Sequence, residues 1–331
     1  MTTFRSFILG LGLAALAPIA AHASETSILN GSYDVSRELY KEINPAFVAH
    51  WKKEKGVDVT VNQSHGGSTK QAKSVAEGLE ADVVTLNQAT DLDFLAEKGV
   101  IDKDWKFKFP HDAAPYTTTS VFIVRQGNPK GIKDWSNLVK SGVSVVIPNP
   151  KTSGNGRYTY LAAWGYALEN EKGEDKAREF VTKLFANVPV FDGGGRGATT
   201  TFTQRDVGDV LVTFENEVAL LKTEFGDKFD VVYPSLSIEA APPVAVNTIV
   251  TAKRGTAELA KAYLDFLYSP EAQKIIAKQG FRPRDAAVLA EAKLPAIKTF
   301  KVEELIGSWA DTQKKHFADG GVYDQITTKS N

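Results

Sequence analysis

The sequence predicts an α/β protein of two doubly wound α/β lobes with a ligand cleft between them. Short runs of apolar and β-branched residues alternate with helix-like segments, which is typical of a parallel sheet flanked by helices. This alternation occurs in two successive units, and no low-complexity linker separates them. The chain of 331 residues also exceeds the usual size of a single hydrophobic core, which favours two domains.

The first unit is predicted to contain three strands joined by two helices. The strands are expected at residues 28–30, 57–61 and 81–86, and the helices at 37–51, interrupted near Pro45, and 69–79. A helical crossover returns the chain so that the next strand runs parallel to the previous one. The first unit should therefore form a parallel sheet.

The second unit shows the same alternation. Strands are expected at 120–125, 143–147, 188–191 and 209–214, and helices at 134–140, 158–169, 176–186 and 216–224. Crossovers between the lobes are expected near 116–120 and 231–235, followed by a strand at 241–251 and a helix at 257–278 that breaks at Ser269-Pro270. We therefore expect lobe I to comprise 24–117 and 236–285, lobe II 118–235, and a C-terminal tail, 286–331, that the pattern assigns to neither lobe.

The N-terminal residues 1–23 have the parts of a cleaved secretory signal peptide. Arg5 supplies a basic start, residues 7–20 form an almost unbroken apolar run, and Ala21-His22-Ala23 is a small-x-small cleavage site. The alternative is a retained membrane anchor, but the run is shorter than the ~18 apolar residues that a spanning helix needs. We expect an exported, soluble protein.

The composition limits the partners and the compartment. The chain has 39 basic and 40 acidic residues, a balance that argues against nucleic acid as the main partner. It contains no cysteine, and its one methionine is Met1, so the exported chain should contain no sulfur atom. This absence has two open explanations: chance, or selection on a protein made in quantity when sulfur is scarce.

Four junctions between a strand and a helix are rich in glycine and small polar residues. They lie at 30–34, 63–71, 148–157 and 192–199, and Ser68 with Gln71 in the second fits a capping box. Ligands bind at the carboxyl ends of the strands of open parallel sheets, where such junctions lie. Helix N-termini present unpaired N–H groups and a positive dipole end, and glycine allows a close approach. These loops predict a site for a small anion.

The sequence lacks the motifs that catalysis, nucleotide binding or metal binding would require. There is no phosphate-loop motif, glycines 193–197 do not complete a dinucleotide motif, and the five histidines show no metal-ligand spacing. No pairing of a nucleophile with a base is visible. We expect no enzymatic activity, no cofactor and no metal. For Arg157 and Arg196 ion pairing with the anion stays open, but bracing of the loops is favoured because neutral donors suffice.

Five segments resemble the periplasmic sulfate/thiosulfate-binding proteins of ABC importers. They are SYDVSREL at 32–39, QSHGGS at 63–68, GNPK at 127–130, PNPKTSGN at 148–155 and GRGAT at 195–199. The resemblance covers residues 24–328. It implies the type II periplasmic binding protein fold, a periplasmic location, a monomer, a sulfate or thiosulfate ligand and the permease subunits of an importer as partners.

The resemblance also implies which groups hold the anion. The implied donors are the backbone N–H groups of Asp34 and Ser68 from one lobe, and from the other the Ser153 hydroxyl and the N–H groups of Gly154, Asn155 and Gly195. Many sulfate-selective members have glycine where Asn155 stands, but a backbone contact tolerates this change. Such members typically have tryptophan at the position of Phe214, and phenylalanine resembles the thiosulfate-binding branch.

Two other functions are weighed against this one. A binding protein for another tetrahedral oxyanion, molybdate, stays open, whereas ferric ion would need phenolate or carboxylate ligands in the cleft. A secreted enzyme on the same fold would need a catalytic group that the loops do not supply.

Overall fold

The computed structural model describes residues 26–328, and the signal peptide predicted at 1–23 lies outside them. The described chain forms two β-sheets, each flanked by helices, and the predicted two-lobed α/β fold is confirmed. We call the two halves the small-sheet lobe and the large-sheet lobe. No helix within residues 26–328 is both long enough and apolar enough to cross a bilayer.

Twelve strands build the two sheets. They are β1 (Ser27–Tyr33), β2 (Thr60–Gly66), β3 (Val83–Thr85), β4 (Tyr116–Arg125), β5 (Val145–Pro148), β6 (Phe191–Asp192), β7 (Val210–Phe214), β8 (Phe229–Val232), β9 (Ser237–Ala240), β10 (Val244–Val246), β11 (Arg282–Pro283) and β12 (Thr299–Phe300). The small sheet has the order β10-β3-β1-β2. Its first three strands in the chain are parallel, as the sequence predicts, and β10 is antiparallel to β3.

The large sheet is organised around the long strand β4. Its order is β12-β9-β4-β7-β5-β6, and β8 and β11 also pair with β4. β5 is parallel to both β6 and β7, whereas β4 is antiparallel to β7. The carboxyl ends of β5, β6 and β7 therefore lie at one edge of the sheet, where the glycine-rich loops follow.

The helices cover both sheets. They are α1 (Arg37–Lys55), α2 (Ser68–Ala76), α3 (Ala89–Glu97), α4 (Pro110–Ala113), α5 (Trp135–Leu138), α6 (Gly154–Glu171), α7 (Glu174–Ala186), α8 (Gly195–Thr203), α9 (Glu217–Phe225), α10 (Thr248–Arg254), α11 (Ala257–Phe266), α12 (Pro270–Lys278), α13 (Ala286–Ala292), α14 (Val302–Leu305), α15 (Trp309–Thr312) and α16 (Val322–Thr328). Short 3₁₀ turns at Asp34–Ser36 and Trp105–Phe107 and a π turn at Gln313–Phe317 complete the chain.

The interruption predicted near Pro45 is wrong, because α1 continues through this proline. Proline removes one backbone hydrogen bond from a helix interior. Here the buried side chains of Ile43, Phe47 and Trp51 lie on one face of α1, and the Phe47 ring packs 5.1 Å from Tyr263. Burial of this apolar face outweighs the lost backbone bond.

The strand predicted at 241–251 is also wrong in its second half. The strand β10 ends at Val246, and the helix α10 begins at Thr248. The side chain of Asn247 caps this helix by accepting a hydrogen bond of 3.1 Å from the backbone N–H of Val250, and Gly255 ends it at a φ of 69°. These local capping signals override the β-branched composition of 248–251.

Two strands start later than expected, and the C-terminal tail, which the sequence assigns to neither lobe, has a defined place. The strand predicted at 188–191 is β6, Phe191–Asp192. The strand predicted at 57–61 is β2, which starts later because Val57 is exposed and Thr60 is the residue that pairs with Ser27. The C-terminal tail packs on the large-sheet lobe: β12 pairs with β9, and the Tyr160 hydroxyl lies 2.8 Å from Nδ1 of His316.

Candidate functional site

The loops that follow the parallel strands meet between the two lobes. A Cβ atom placed on Gly67, at the end of β2, would lie 2.5 Å from the carbonyl oxygens of both Thr152 and Gly193. No side chain fits at that distance, so only glycine allows this approach. Three of the four predicted loops therefore contact one another at Gly67, two of them from the opposite lobe.

Helix N-termini converge at this meeting point. The helices α2, α6 and α8 begin at Ser68, Gly154 and Gly195, and a 3₁₀ turn begins at Asp34 directly after β1. The first N–H groups of a helix have no partner within the helix and carry the positive end of its dipole. The predicted backbone donors thus lie in the first turn of helices from both lobes.

The Ser68 hydroxyl is already engaged inside the small-sheet lobe. It donates a hydrogen bond of 2.6 Å to Oδ2 of Asp91 and accepts one of 3.0 Å from the backbone N–H of Asn87. The predicted capping box is wrong: Gly67 is the N-cap, and Nε2 of Gln71 donates instead to the Ser64 hydroxyl at 2.7 Å. What Ser68 can offer an anion is its backbone N–H group.

On the large-sheet lobe, Ser153 is the N-cap of α6. Its oxygen accepts a long hydrogen bond of 3.4 Å from the backbone N–H of Gly156. This contact uses a lone pair, so the hydroxyl proton stays available to a second acceptor. The side chain of Asn155, also a predicted site residue, turns inward and donates a hydrogen bond of 3.1 Å to the Thr213 hydroxyl. The predicted contact of Asn155 with the anion is therefore through its backbone N–H group.

A cluster of charged residues lies directly behind α8. The backbone N–H of Arg196 donates 3.0 Å to Oδ2 of Asp34, and the Arg196 guanidinium lies 3.3 Å from Oε1 of Glu217. Burial raises the pKa of Glu217 to about 7, although Arg196 and the Thr199 hydroxyl act in the opposite direction. Burial likewise raises the pKa of Asp34.

Arg157 occupies a different environment. Its Nε donates 2.9 Å to the carbonyl of Pro150, its Nη1 donates 2.9 Å to Oε1 of Gln313, and the guanidinium lies 5.2 Å from the Phe317 ring centre. Within residues 26–328 no carboxylate lies within 4 Å of it, and burial lowers its pKa. Both arginines thus hold loops and neighbouring segments together.

Phe214 ends β7 and is fully buried. Its ring meets Tyr158 of α6 edge to face, with the ring centres 5.8 Å apart. Tyr158 lies one helical turn after Gly154 in α6, so its contact with Phe214 places the Phe214 ring near the N-terminus of this helix. An apolar ring at this place offers no hydrogen bond to a ligand.

His65, in the second loop, is held by a hydrogen bond of 2.5 Å between its Nδ1 and the Ser32 hydroxyl. Burial, with a contribution from Arg37, lowers its pKa to about 4, so the ring is neutral at pH 7. A group of three or more side chains that could hold a metal ion is absent from residues 26–328.

A cavity of about 760 Å³ lies beside these loops. It is lined by Lys73 and Asp91 of the small-sheet lobe and by Lys151, Arg157 and Phe317, and none of the seven predicted site residues lines it. The predicted site is the tightly packed junction of helix N-termini, which suits one small anion better than a wide cavity does.

Asn87 is a residue of this junction that the sequence analysis missed. It follows β3, whose carboxyl end lies beside those of β1 and β2, and its side chain touches Gly154 of the opposite lobe. Two polar residues, Asn87 and Gln88, stand directly after a buried parallel strand, and this pattern is the sequence signal for a site residue. It was missed because this junction contains no glycine.

The fold and the convergence of helix N-termini from two lobes define a solute-binding protein. Residues 34–282 match the family model of bacterial extracellular solute-binding proteins, and the chain belongs to this family.

Within it, the chain belongs with the sulfate/thiosulfate-binding proteins, and the resemblance is confirmed. It is 56% identical to the thiosulfate-binding protein of Pseudomonas aeruginosa over 98% of both chains. It is 53% identical to the sulfate-binding protein of Escherichia coli over 97% of this chain and 99% of the relative. The solved structure of the sulfate-binding protein SubI from Mycobacterium tuberculosis superposes with a TM-score of 0.81 at 33% identity, over 88% of this chain and 100% of SubI. These relatives are solute-binding proteins.

Proposed function

We propose that this protein captures sulfate or thiosulfate in the periplasm and delivers the anion to the permease subunits of an ABC importer for sulfur uptake. The observation that carries the proposal is the convergence of the N-termini of α2, α6 and α8 at the contact between the two lobes. Relatives that are 53–56% identical over nearly the full chain are named for these two anions, which supports the ligand class.

In this proposal, uncharged donors hold one desolvated dianion. They are the N–H groups of Asp34 and Ser68 from one lobe, and the Ser153 hydroxyl and the N–H groups of Gly154, Asn155 and Gly195 from the other. Hydrogen bonds to charged groups are stronger than those between neutral groups, and helix dipoles add to them. Phe214 supplies no donor, and its apolar ring favours the larger, more polarisable sulfur of thiosulfate.

The proposal extends to the organisation of the chain. Residues 1–23 direct export and are removed, lobe I comprises 24–117 and 236–285, lobe II comprises 118–235, and the protein acts as a monomer. Residues 237–240 (β9) lie within the range proposed for lobe I but pair with β4 of the large sheet, so the pairing of β12 with β9 favours placing the tail, 286–331, beside the large sheet. The exported chain then contains no sulfur atom, since Met1 is the one sulfur-containing residue in the sequence, and this fits a protein needed when sulfur is scarce.

Two measurements test this function. The exported protein is purified, its bound ligand is released by denaturation, and the released anion is identified by mass spectrometry. Calorimetric titration of the ligand-free, refolded protein with sulfate, thiosulfate and molybdate then ranks the three anions. We expect sulfate or thiosulfate in the first measurement and the tightest binding of one of them in the second. Tighter binding of molybdate, or no binding of any of the three by folded protein, would refute the proposal.

A further inference from the structure

The junction after β3 places Asn87 between the two helix N-termini that face each other across the cleft. Its backbone N–H donates 3.0 Å to the Ser68 hydroxyl at the start of α2. Its side chain reaches the first residue of α6, because a Cβ atom on Gly154 would lie 1.6 Å from Oδ1 and 2.8 Å from Nδ2 of Asn87. Asn87 therefore touches both lobes.

The carboxamide of Asn87 is buried, but its polar oxygen is not satisfied by the protein. Asn87 is 2% exposed, and its Oδ1 has no hydrogen-bond partner among the described residues. Buried polar side-chain atoms in folded proteins nearly always have a partner. Oε1 of the adjacent Gln88 is likewise buried without a partner among the described residues, but Nε2 of Gln88 donates a hydrogen bond of 3.1 Å to the Thr69 hydroxyl, which fixes that carboxamide inside the small-sheet lobe.

The chemistry of an amide suits a ligand contact at this place. A carboxamide carries two N–H donors and one acceptor, and rotation about its last bond exchanges their positions. An oxyanion offers only acceptors and cannot pair with the unpartnered Oδ1, so the contact needs this rotation, which brings the NH₂ group to the place that Oδ1 occupies against Gly154. Because Asn is neutral, it can donate to a dianion without adding a charge that must itself be desolvated.

We infer that Asn87 is a direct ligand of the anion, donating a hydrogen bond from its side-chain NH₂ group to the oxyanion held between Ser68 and Gly154. The inference rests on the proposed function. The donors proposed so far from the small-sheet lobe are backbone N–H groups, and Asn87 adds a side-chain donor to them. Since Asn87 packs on Gly154 of the other lobe, an anion bound there joins the two lobes through this side chain.

The test compares Asn87→Asp and Asn87→Ala with the wild type by calorimetric titration of sulfate and thiosulfate. Aspartate has the shape of asparagine but places a negative charge beside the dianion, so at pH 7.5 affinity should fall about 100-fold or more. Asn87→Ala removes the donor alone and should weaken binding about tenfold. Affinity of Asn87→Asp should recover as the pH falls and the carboxyl group becomes a protonated donor, which a packing defect would not do.

The matched control is Asn170→Asp, which makes the same charge change near the C-terminal end of α6. Asn170 lies sixteen residues after Gly154 in the same helix, roughly 24 Å away, and its side chain donates to the carbonyl of Tyr166. This variant should bind like the wild type. The wild type is titrated at every pH used, so that the change specific to Asn87→Asp is read from the difference between the two proteins.

The outcomes separate the two proposals. If the wild type binds neither anion, the proposed function fails and the role of Asn87 falls with it. If the wild type binds one of them but Asn87→Asp and Asn87→Ala both bind within about threefold of it, the proposed function stands and Asn87 is not a ligand. If Asn87→Asp does not fold, the tenfold loss in Asn87→Ala decides the question in the same way.

Discussion

The first turns of α6 and α8 differ in charge from the residues directly behind them. The residues that would face the anion, Ser153, Gly154 and Gly195, carry no charge. The residues behind them include Arg157, held by carbonyl and amide oxygens, and Arg196, held by Glu217.

The contrast shows how a site can bind a dianion without using a cationic side chain. Each arginine is engaged by acceptors within the protein, Arg157 by Pro150 and Gln313 and Arg196 by Glu217, although Nε of Arg196 is buried without a partner among the described residues. The backbone N–H groups, which a helix leaves without partners, are then the strongest donors that remain for a ligand. The predictions below test whether this division between neutral contact groups and charged supporting groups holds.

Apart from the Asn87 variants, the largest effect on binding should come from removing the one hydroxyl among the contact groups. Ser153→Ala should weaken binding of the preferred anion about 10- to 100-fold, because a hydrogen bond to a charged group is worth roughly 1.5–3 kcal/mol. Arg157→Ala and Arg196→Ala should each change affinity less. Calorimetric titration of the three variants measures the difference.

Ser269→Ala is the matched control, because Ser269 also caps a helix, α12, through a hydrogen bond of 3.2 Å to the N–H of Ala272, away from the cleft. It should lose stability and keep affinity. If Arg196→Ala, still folded by circular dichroism, proved more damaging to binding than Ser153→Ala, the division between contact and supporting groups would be wrong.

The next effect concerns phosphate. Near pH 7.5 monohydrogen phosphate carries a proton that must find an acceptor, and the proposed contact groups are donors. An unmade buried hydrogen bond costs about 1–3 kcal/mol, so phosphate should bind at least about tenfold more weakly than the best sulfur oxyanion. Selenate, a tetrahedral dianion without a proton, is the control and should bind much better than phosphate. Calorimetry that finds phosphate within tenfold of the best anion would show that an acceptor faces the ligand.

A smaller effect is expected at Phe214. Phe214→Trp adds an indole N–H near the start of α6 and should move the thiosulfate-to-sulfate affinity ratio towards sulfate by up to about tenfold. The wild type should bind thiosulfate at least as well as sulfate. Because the site is fully buried, the larger ring should also lower stability, by about 1–3 kcal/mol for overpacking.

Competitive titration of both anions on the wild type, Phe214→Trp and Phe214→Leu measures this ratio separately from stability. Phe214→Leu keeps the site apolar and should leave the ratio near the wild-type value. If the wild type strongly prefers sulfate and Phe214→Trp has the same affinity ratio, Phe214 does not set the selectivity.

The last prediction concerns stability instead of affinity, and the charged groups behind α8. Burial raises the pKa of Glu217 to about 7 from an ordinary value of 4.5, so the folded state holds this proton to higher pH than the unfolded state does. The free energy of unfolding therefore falls as the pH rises from 4.5 to 7. Glu217→Gln lacks this titration, and its stability relative to the wild type should rise by roughly 1–3 kcal/mol between pH 4.5 and pH 8.

Urea unfolding of both proteins at several pH values checks this relative change, and titration of Asp34 and His65 should largely cancel in the comparison. A stability difference that stays constant with pH would mean that Glu217 is ionised throughout, held by Arg196.

The sequence by itself determined the fold class, the parallel order of the first strands, the four glycine-rich loops and the family. Each of these depends on local signals: periodicity, glycine at a junction, or a string of consecutive residues such as PNPKTSGN. The beginnings of α2, α6 and α8 fall within three of those loops for the same reason.

Only the tertiary structure decided which of these groups come into contact and how burial shifts their pKa values. Pro45 stays within α1 because Phe47 packs on Tyr263, more than two hundred residues away along the chain. Asn87 became a site candidate only when Gly154 was found against its side chain, and the raised pKa of Glu217 comes from burial by elements distant in sequence. Contacts of this kind depend on how two lobes pack, and a linear pattern of residues carries no record of that packing.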